Sequence, residues 1–266
     1  MLWRIEWSRT LRQKESYVFL LAWVLTLVLL GGLGQAIPVA TAYTNVSATL
    51  VTVIGLVLPL LVMLTTALQW GNERESKRMR LVSTFTVSMR RVVWMRYSAF
   101  LATQGLVITL AFALASFLVS MPLETWFVLW VYAFGLTAYG AAIGTFIGVV
   151  GRTRLRAVLL SFIVWVVLVL LWPTLLVATI AWLPYGSQAS AMVGLLFLNG
   201  FELLRVWVSS VLSAPDLFGA VYETFIGWLG DPLGSLTVSI AILSVVFVLW
   251  FGTAWLLRQE GRHDSA

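Results

Sequence analysis

The sequence predicts an all-α integral membrane protein: six transmembrane helices, an N-terminal interfacial helix, a cytoplasmic amphipathic helix, and outer re-entrant or interfacial helices. Three observations predict it. The 266 residues are 61% hydrophobic and only 11% charged, where a soluble domain is nearer half apolar and a quarter charged. The apolar residues come in continuous runs such as SFIVWVVLVLLWPTLLVATI, about as long as a helix needs to cross a hydrocarbon core, and not in the short alternating segments of a membrane barrel. Arg and Lys are concentrated in every second connection, the bias that orients a multi-pass protein.

Each element follows in order. Residues 1–16, MLWRIEWSRTLRQKES, set Leu2, Trp3, Ile5, Trp7 and Leu11 among Arg and Glu. That mix suits a helix lying on the inner leaflet with Trp at headgroup depth. Spans are expected at about 17–36, 49–70, 98–119, 127–150, 157–180 and 235–257. The first run follows a basic segment and precedes VATA, small residues at cleavage spacing. It is expected to be a retained span, not a removed signal peptide.

Basic residues precede the first span at Arg4, Arg9, Arg12 and Lys14. They recur between spans two and three at Arg74, Lys77, Arg78, Arg80, Arg90, Arg91 and Arg96. They return after span four at Arg152, Arg154 and Arg156, and in the tail at Arg258 and Arg262. The first connection carries no charge, the third only Glu124, and the long fifth a single basic residue, Arg205. Both termini are therefore expected in the cytoplasm, with 1–266 forming one transmembrane domain in the inner (plasma) membrane.

Ser190–Leu212 is also long enough to cross, but Glu202 and Arg205 would then sit at depth, at about 3 kcal/mol for each central charge. Three residues apart on one helix face, the two can pair. The stretch is read as an interfacial or re-entrant helix within an outer cap at 184–232, with Asn199, Glu202 and Arg205 as its polar positions. In span four, Gly140, Gly144 and Gly148 share one face, the spacing that lets helix backbones approach closely, either within one subunit or between two. Pro59 and Pro173 lie inside spans two and five and remove a rung of the hydrogen-bond ladder, as a kink or a hinge.

Several chemistries have no residues to perform them. There is no cysteine, and the single histidine is His263 in the polar tail, so thiol catalysis, thiolate metal sites and an intramembrane histidine ligand are excluded. The six spans carry no Asp, Glu, Lys, Arg or His away from their ends, which argues against ion-coupled carriers and intramembrane proteolysis. No cofactor is expected on this chain and no catalytic site of its own.

The segment NERESKRMRLVSTFTVSMRRVVWMRY, Asn72–Tyr97, is the most charged in the chain. Met79, Val82, Thr86 and Val93 recur at roughly helical spacing, with Glu73 and Glu75 first and basic residues after, the order a helix dipole favours. An amphipathic helix from Glu73 to Arg91 is expected, able to dock a soluble partner.

This segment resembles the cytoplasmic signature of ABC-2 class permeases, the membrane subunits of ATP-binding-cassette exporters. That signature opens Glu-Arg-Glu-x-Gly-Thr-Leu and continues through a leucine-rich stretch, Pro-Val-Ser-Arg and a Lys near the third span. Glu73, Arg74, Glu75, Val87 and Ser88 match; Met79 and Leu81 fill apolar positions; Arg96 stands where the Lys would be. Lys77, Arg78, Thr86 and Met89 depart from it. The resemblance implies that 71–96 is the coupling loop, with Glu73, Arg74, Glu75, Arg78, Met79 and Leu81 docking an ATPase subunit. ATP and Mg would be bound by that subunit, since no phosphate-binding Gly-x-x-x-x-Gly-Lys-Ser/Thr loop occurs here. It implies a second permease copy or related chain, a lipid environment and no nucleic acid. LLFLNGFELLRV, Leu195–Val206, is similar to a Leu-Asn-Pro-x-Asp-x-x-Arg segment of permeases in copper-enzyme (nitrous oxide reductase) maturation, which implies a periplasmic partner. The alternative is a non-transporting membrane scaffold that binds its partner without ATP.

Overall fold

The computed structural model describes residues 3, 7, 8, 11, 14–35, 45–76, 88–212 and 227–263. The long helices are α1 (Lys14–Gln35), α2 (Asn45–Glu75), α3 (Met89–Ser116) and α4 (Leu123–Gly151). A fifth passes from α5 (Arg154–Trp165) through a π-helical turn at Val166–Leu171 into α6 (Trp172–Trp182). Two shorter helices follow, α7 (Tyr185–Leu198) and α8 (Gly200–Val211), and α9 (Pro232–His263) closes the chain. Among the described residues there is no strand. Among the described residues five stretches are long and apolar enough to cross a membrane, Val46–Glu75, Met89–Ser116, Leu123–Gly151, Arg154–Trp182 and Pro232–Gln259, and the bent pair Tyr185–Leu198 with Gly200–Val211 makes a sixth if it counts as one span. The apolar stretch Phe19–Leu29 within α1 is shorter.

The helices alternate in direction. Trp70 near the end of α2, Val93 near the start of α3, Val149 near the end of α4, and Ala254 and Leu257 late in α9 pack into one cluster. This end of the bundle gathers Arg74, Arg90, Arg91, Arg96, Arg152, Arg154, Arg156 and Arg258, and is called the basic end below. Trp3 reaches the same end: its indole Nε1–H donates to Ser98 Oγ at 3.2 Å, and its ring stacks on Trp7 at 5.3 Å.

α4 is the centre. Of its most apolar window 72% is buried, against 28% for α9 and 11% for the α5–α6 span. A helix hydrophobic on all sides belongs in the interior, and between apolar helices it is close packing that holds the contact. The glycine face supplies that closeness within this one chain, against α2. A methyl at Gly144 would meet the Met63 carbonyl oxygen at 2.7 Å, and one at Gly148 would meet the Ala67 carbonyl oxygen at 2.8 Å. At Gly140 the nearest atoms stand at 3.6 Å, an ordinary contact.

α4 ends at Arg152, whose φ of 60° is left-handed. Glycine takes that conformation without strain, whereas a β-carbon there costs about 1–2 kcal/mol. The turn is tight because Thr153 immediately caps α5, its side chain accepting the Arg156 N–H at 3.4 Å.

The two prolines are accommodated without breaking either span. Pro59 offers no N–H to the Gly55 carbonyl, yet α2 runs through it. Two neighbouring side chains also donate to carbonyls of the preceding turns of α2: Trp165 Nε1–H to that of Leu56 at 3.1 Å, and Tyr132 O–H to that of Val51 at 3.4 Å. Pro173 is met by the π turn just before it, and the span continues to Trp182.

One sequence expectation changes here. The Glu73–Arg91 segment was expected to open a new helix at its acids, but α2 continues to Glu75 and α3 begins at Met89, not Ser98. No Pro or Gly interrupts residues 72–75, so the α ladder of span two runs on, and Ser76 N–H still donates to the Asn72 carbonyl at 3.0 Å. The expected amphipathic helix, with Arg78, Met79 and Leu81, therefore falls largely on 77–87, outside the described residues.

In Ser190–Leu212, read from the sequence as an interfacial or re-entrant helix, α7 and α8 meet at Asn199 with a bend of 114°, the geometry of a broken span or of a re-entrant loop. Asn199 bonds to Leu168, midway along the α5–α6 span, and Phe201 packs edge-on against Tyr139 of α4 at 4.8 Å. Further along α8, Trp207 Nε1–H donates to Ser235 Oγ at 2.9 Å near the start of α9. Gly200 makes the bend possible: a methyl there would stand 2.7 Å from the Tyr139 ring and from Ile242. Residues 213–226 of the expected cap lie outside the described residues.

Candidate functional site

The last turn of α2 carries Glu73, Arg74 and Glu75, and each engages a different helix. Acids at a helix C-terminus face the negative end of its dipole, which is unfavourable, so each needs a compensating donor. Glu73 is ion-paired with Arg96 of α3, both side chains 17% exposed. The same guanidinium lies over the Trp70 ring, 5.4 Å from its centroid. Glu75 Oε2 accepts the backbone N–H of Arg154 at 2.9 Å. That N–H opens α5 and has no intrahelical acceptor, and the helix N-terminus favours an anion.

Arg74 does the converse. Its Nη1 donates to the Val149 carbonyl in the last turn of α4, where carbonyls lack intrahelical donors and a cation is favoured. Three consecutive side chains thus bind α2 to α3, α4 and α5 at the basic end. The clasp therefore ties four helices, α2, α3, α4 and α5, to one another at this end.

The second polar group lies at the bend between α7 and α8. Asn199 is fully buried. Its Oδ1 accepts the Phe201 N–H at 3.1 Å and so caps α8, while its Nδ2 donates to the Leu168 carbonyl at 2.5 Å. Pro173 explains why that carbonyl needs an outside donor. Within the π turn the ladder shifts toward i+5, and for Leu168 that residue is Pro173, which has no N–H. Glu202, 6% exposed, sits in the first turn of α8, where the dipole favours it, and pairs with Arg205 Nη2 at 2.5 Å. The six expected spans lack ionisable groups away from their ends, whereas α8 buries one inside the bundle.

Asn199→Leu should cost about 3 kcal/mol, since it removes a helix cap and strands a buried carbonyl. Pro173→Ala restores an N–H at that point of the ladder. In that background the penalty should shrink by about 1 kcal/mol, measured as a double-mutant cycle of thermal stability in detergent.

The structure brings together Glu73, Arg74 and Glu75 in one group, Asn199, Glu202 and Arg205 in another, and Gly140, Gly144 and Gly148 along the α2 seam. Sequence reading missed the partners. Two of the clasp's acceptors and donors, the Val149 carbonyl and the Arg154 N–H, are backbone groups with no side-chain signature. The Asn199–Leu168 bond was traceable in principle, because an intraspan proline leaves a carbonyl for a buried amide to satisfy. No protein-family model matches the chain, and no curated protein is significantly similar to it.

Proposed function

We propose that this chain is the permease subunit of an ABC-2 class ATP-binding-cassette transporter, docking ATPase subunits through its 71–96 loop. The observation that carries this reading is the clasp. The Glu-Arg-Glu of the resembling signature is bonded to three neighbouring helices, as a lever's base must be if pushing the loop is to move the bundle. On this reading α1 completes six spans, both termini and the basic end face the cytoplasm, two permease copies (or related chains) assemble with two ATPase subunits, and cargo passes between the permeases. The chain itself is not an enzyme. The narrower likeness to copper-enzyme maturation permeases rests on Asn199, Glu202 and Arg205, and a periplasmic copper protein encoded beside this gene would carry it.

The test is purification from native membranes with ATP turnover measured on the complex. A nucleotide-binding subunit should co-purify. Arg78→Glu with Leu81→Asp, outside the clasp, should weaken its binding at least about tenfold at unchanged melting temperature. A stable complex with no nucleotide-binding subunit leaves the scaffold reading instead. Glu202 favours a further rival, an ion-coupled carrier. That rival requires transport lost in Glu202→Gln with no ATP dependence.

A further inference from the structure

α9 presents one continuous apolar stripe. Leu236, Ile240, Leu243, Phe247 and Phe251 recur every three or four residues and are all exposed, from 42% at Phe251 to 65% at Leu243. From Leu236 to Phe251 the stripe runs about 22 Å at ~1.5 Å per residue, more than the ~15 Å of one leaflet's hydrocarbon. Seven residues past Phe251, two turns on along the same face, stands Arg258, also exposed.

A second guanidinium comes from the neighbouring helix. Arg90, in the first turn of α3, lies over the Phe251 ring at 4.6 Å from its centroid. One turn on, Trp94 meets Trp250 edge-on at 5.7 Å and is 52% exposed. Among the described residues no carboxylate pairs with Arg90 or Arg258. An apolar track therefore ends beside an exposed indole and two guanidinium groups, one of them over an aromatic face.

We propose that the basic ends of α3 and α9 bind an anionic phospholipid, its phosphate at Arg90 and Arg258 and an acyl chain along the α9 stripe. The juxtaposition matches both parts of that molecule. Guanidinium groups bind phosphate oxygens in pairs, Trp and Tyr settle at the headgroup level, and lipid tails cover apolar stripes. A zwitterionic lipid satisfies the track but not the two cations. The site does not depend on whether the chain serves an ATPase.

The experiment is native mass spectrometry of the detergent-purified full chain. It is titrated with phosphatidylglycerol or with phosphatidylcholine of identical acyl chains. The unaltered chain should prefer phosphatidylglycerol. Arg90→Gln with Arg258→Gln should lose about fivefold of that preference for each guanidinium removed, and Phe251→Leu, which keeps the track but removes the ring, should lose part of it. Arg154→Gln with Arg156→Gln, two exposed positions at the same end, should leave the preference intact. Equal binding of the two lipids by the unaltered chain, or equal losses in the two arginine pairs, would overturn the proposal; the second result would mean diffuse surface charge.

Discussion

Alanine at Gly144 or Gly148 is expected to destabilise the bundle by about 1–3 kcal/mol, while alanine at Gly140 leaves stability unchanged or raises it by up to ~1 kcal/mol. The opposite signs follow from the seam. At Gly144 the new methyl meets backbone, the Met63 carbonyl oxygen at 2.7 Å and its Cα at 3.0 Å, with Thr66 Oγ1 closer still. Thr66 cannot simply rotate away, since its hydroxyl donates to the Val62 carbonyl at 2.7 Å. At Gly148 the contacts are the Ala67 carbonyl and the Trp70 Cβ, again close to the α2 backbone. Relief requires the two most extensively packed helices to move apart. At Gly140 a methyl fits, and alanine's better helix propensity is what remains. Melting temperatures in one detergent across the three variants check the series. Equal effects at all three positions would mean that the glycine face is not the seam.

Glu73→Ala should cost about 2–3 kcal/mol, somewhat below the ~3–5 kcal/mol of a fully buried pair, because both side chains retain 17% exposure. The loss is large for one ion pair because Arg96 keeps its charge and loses this carboxylate. Arg96→Ala should cost a similar amount or more, since it also removes the cation over Trp70. The charge swap Glu73→Arg with Arg96→Glu restores the pair but not the ring contact. It should recover stability incompletely, to within roughly 1–2 kcal/mol of the unaltered chain. A swap that behaves as the sum of two independent losses would place the pair outside the fold's energetics.

What was legible in the sequence divides along physical lines. Five long apolar helices were, because hydrocarbon-length runs leave few alternatives to helix. The seam was, because glycines four apart are useful only where backbones touch. The boundaries at 71–98 were not. Hydropathy falls at Gly71, but backbone hydrogen bonding does not, and a polar last turn of α2 looks from sequence like the first turn of another helix. The acids of Glu73–Glu75 suggested a helix start, yet they sit at a helix end, sustained by Arg96 and by the N-terminus of α5. The bent pair was half legible. Charge cost and spacing suggested an interfacial or re-entrant helix with Glu202 and Arg205 paired, but the cap at Asn199 and the burial of Glu202 in the first turn of α8 carry no side-chain spacing that announces them.

On the proposed function, the connection between α2 and α3 is gripped by a nucleotide-driven partner and passes force to four helices through the clasp. The chain contains no cysteine, so a single cysteine at Met79 gives one unambiguous cross-linking position in otherwise native membranes. The account predicts a cross-link from this position to a subunit carrying a phosphate-binding Gly-x-x-x-x-Gly-Lys-Ser/Thr loop, its yield changing when ATP is added. Labelling of the same cysteine by a membrane-impermeant maleimide applied from the outside would contradict it.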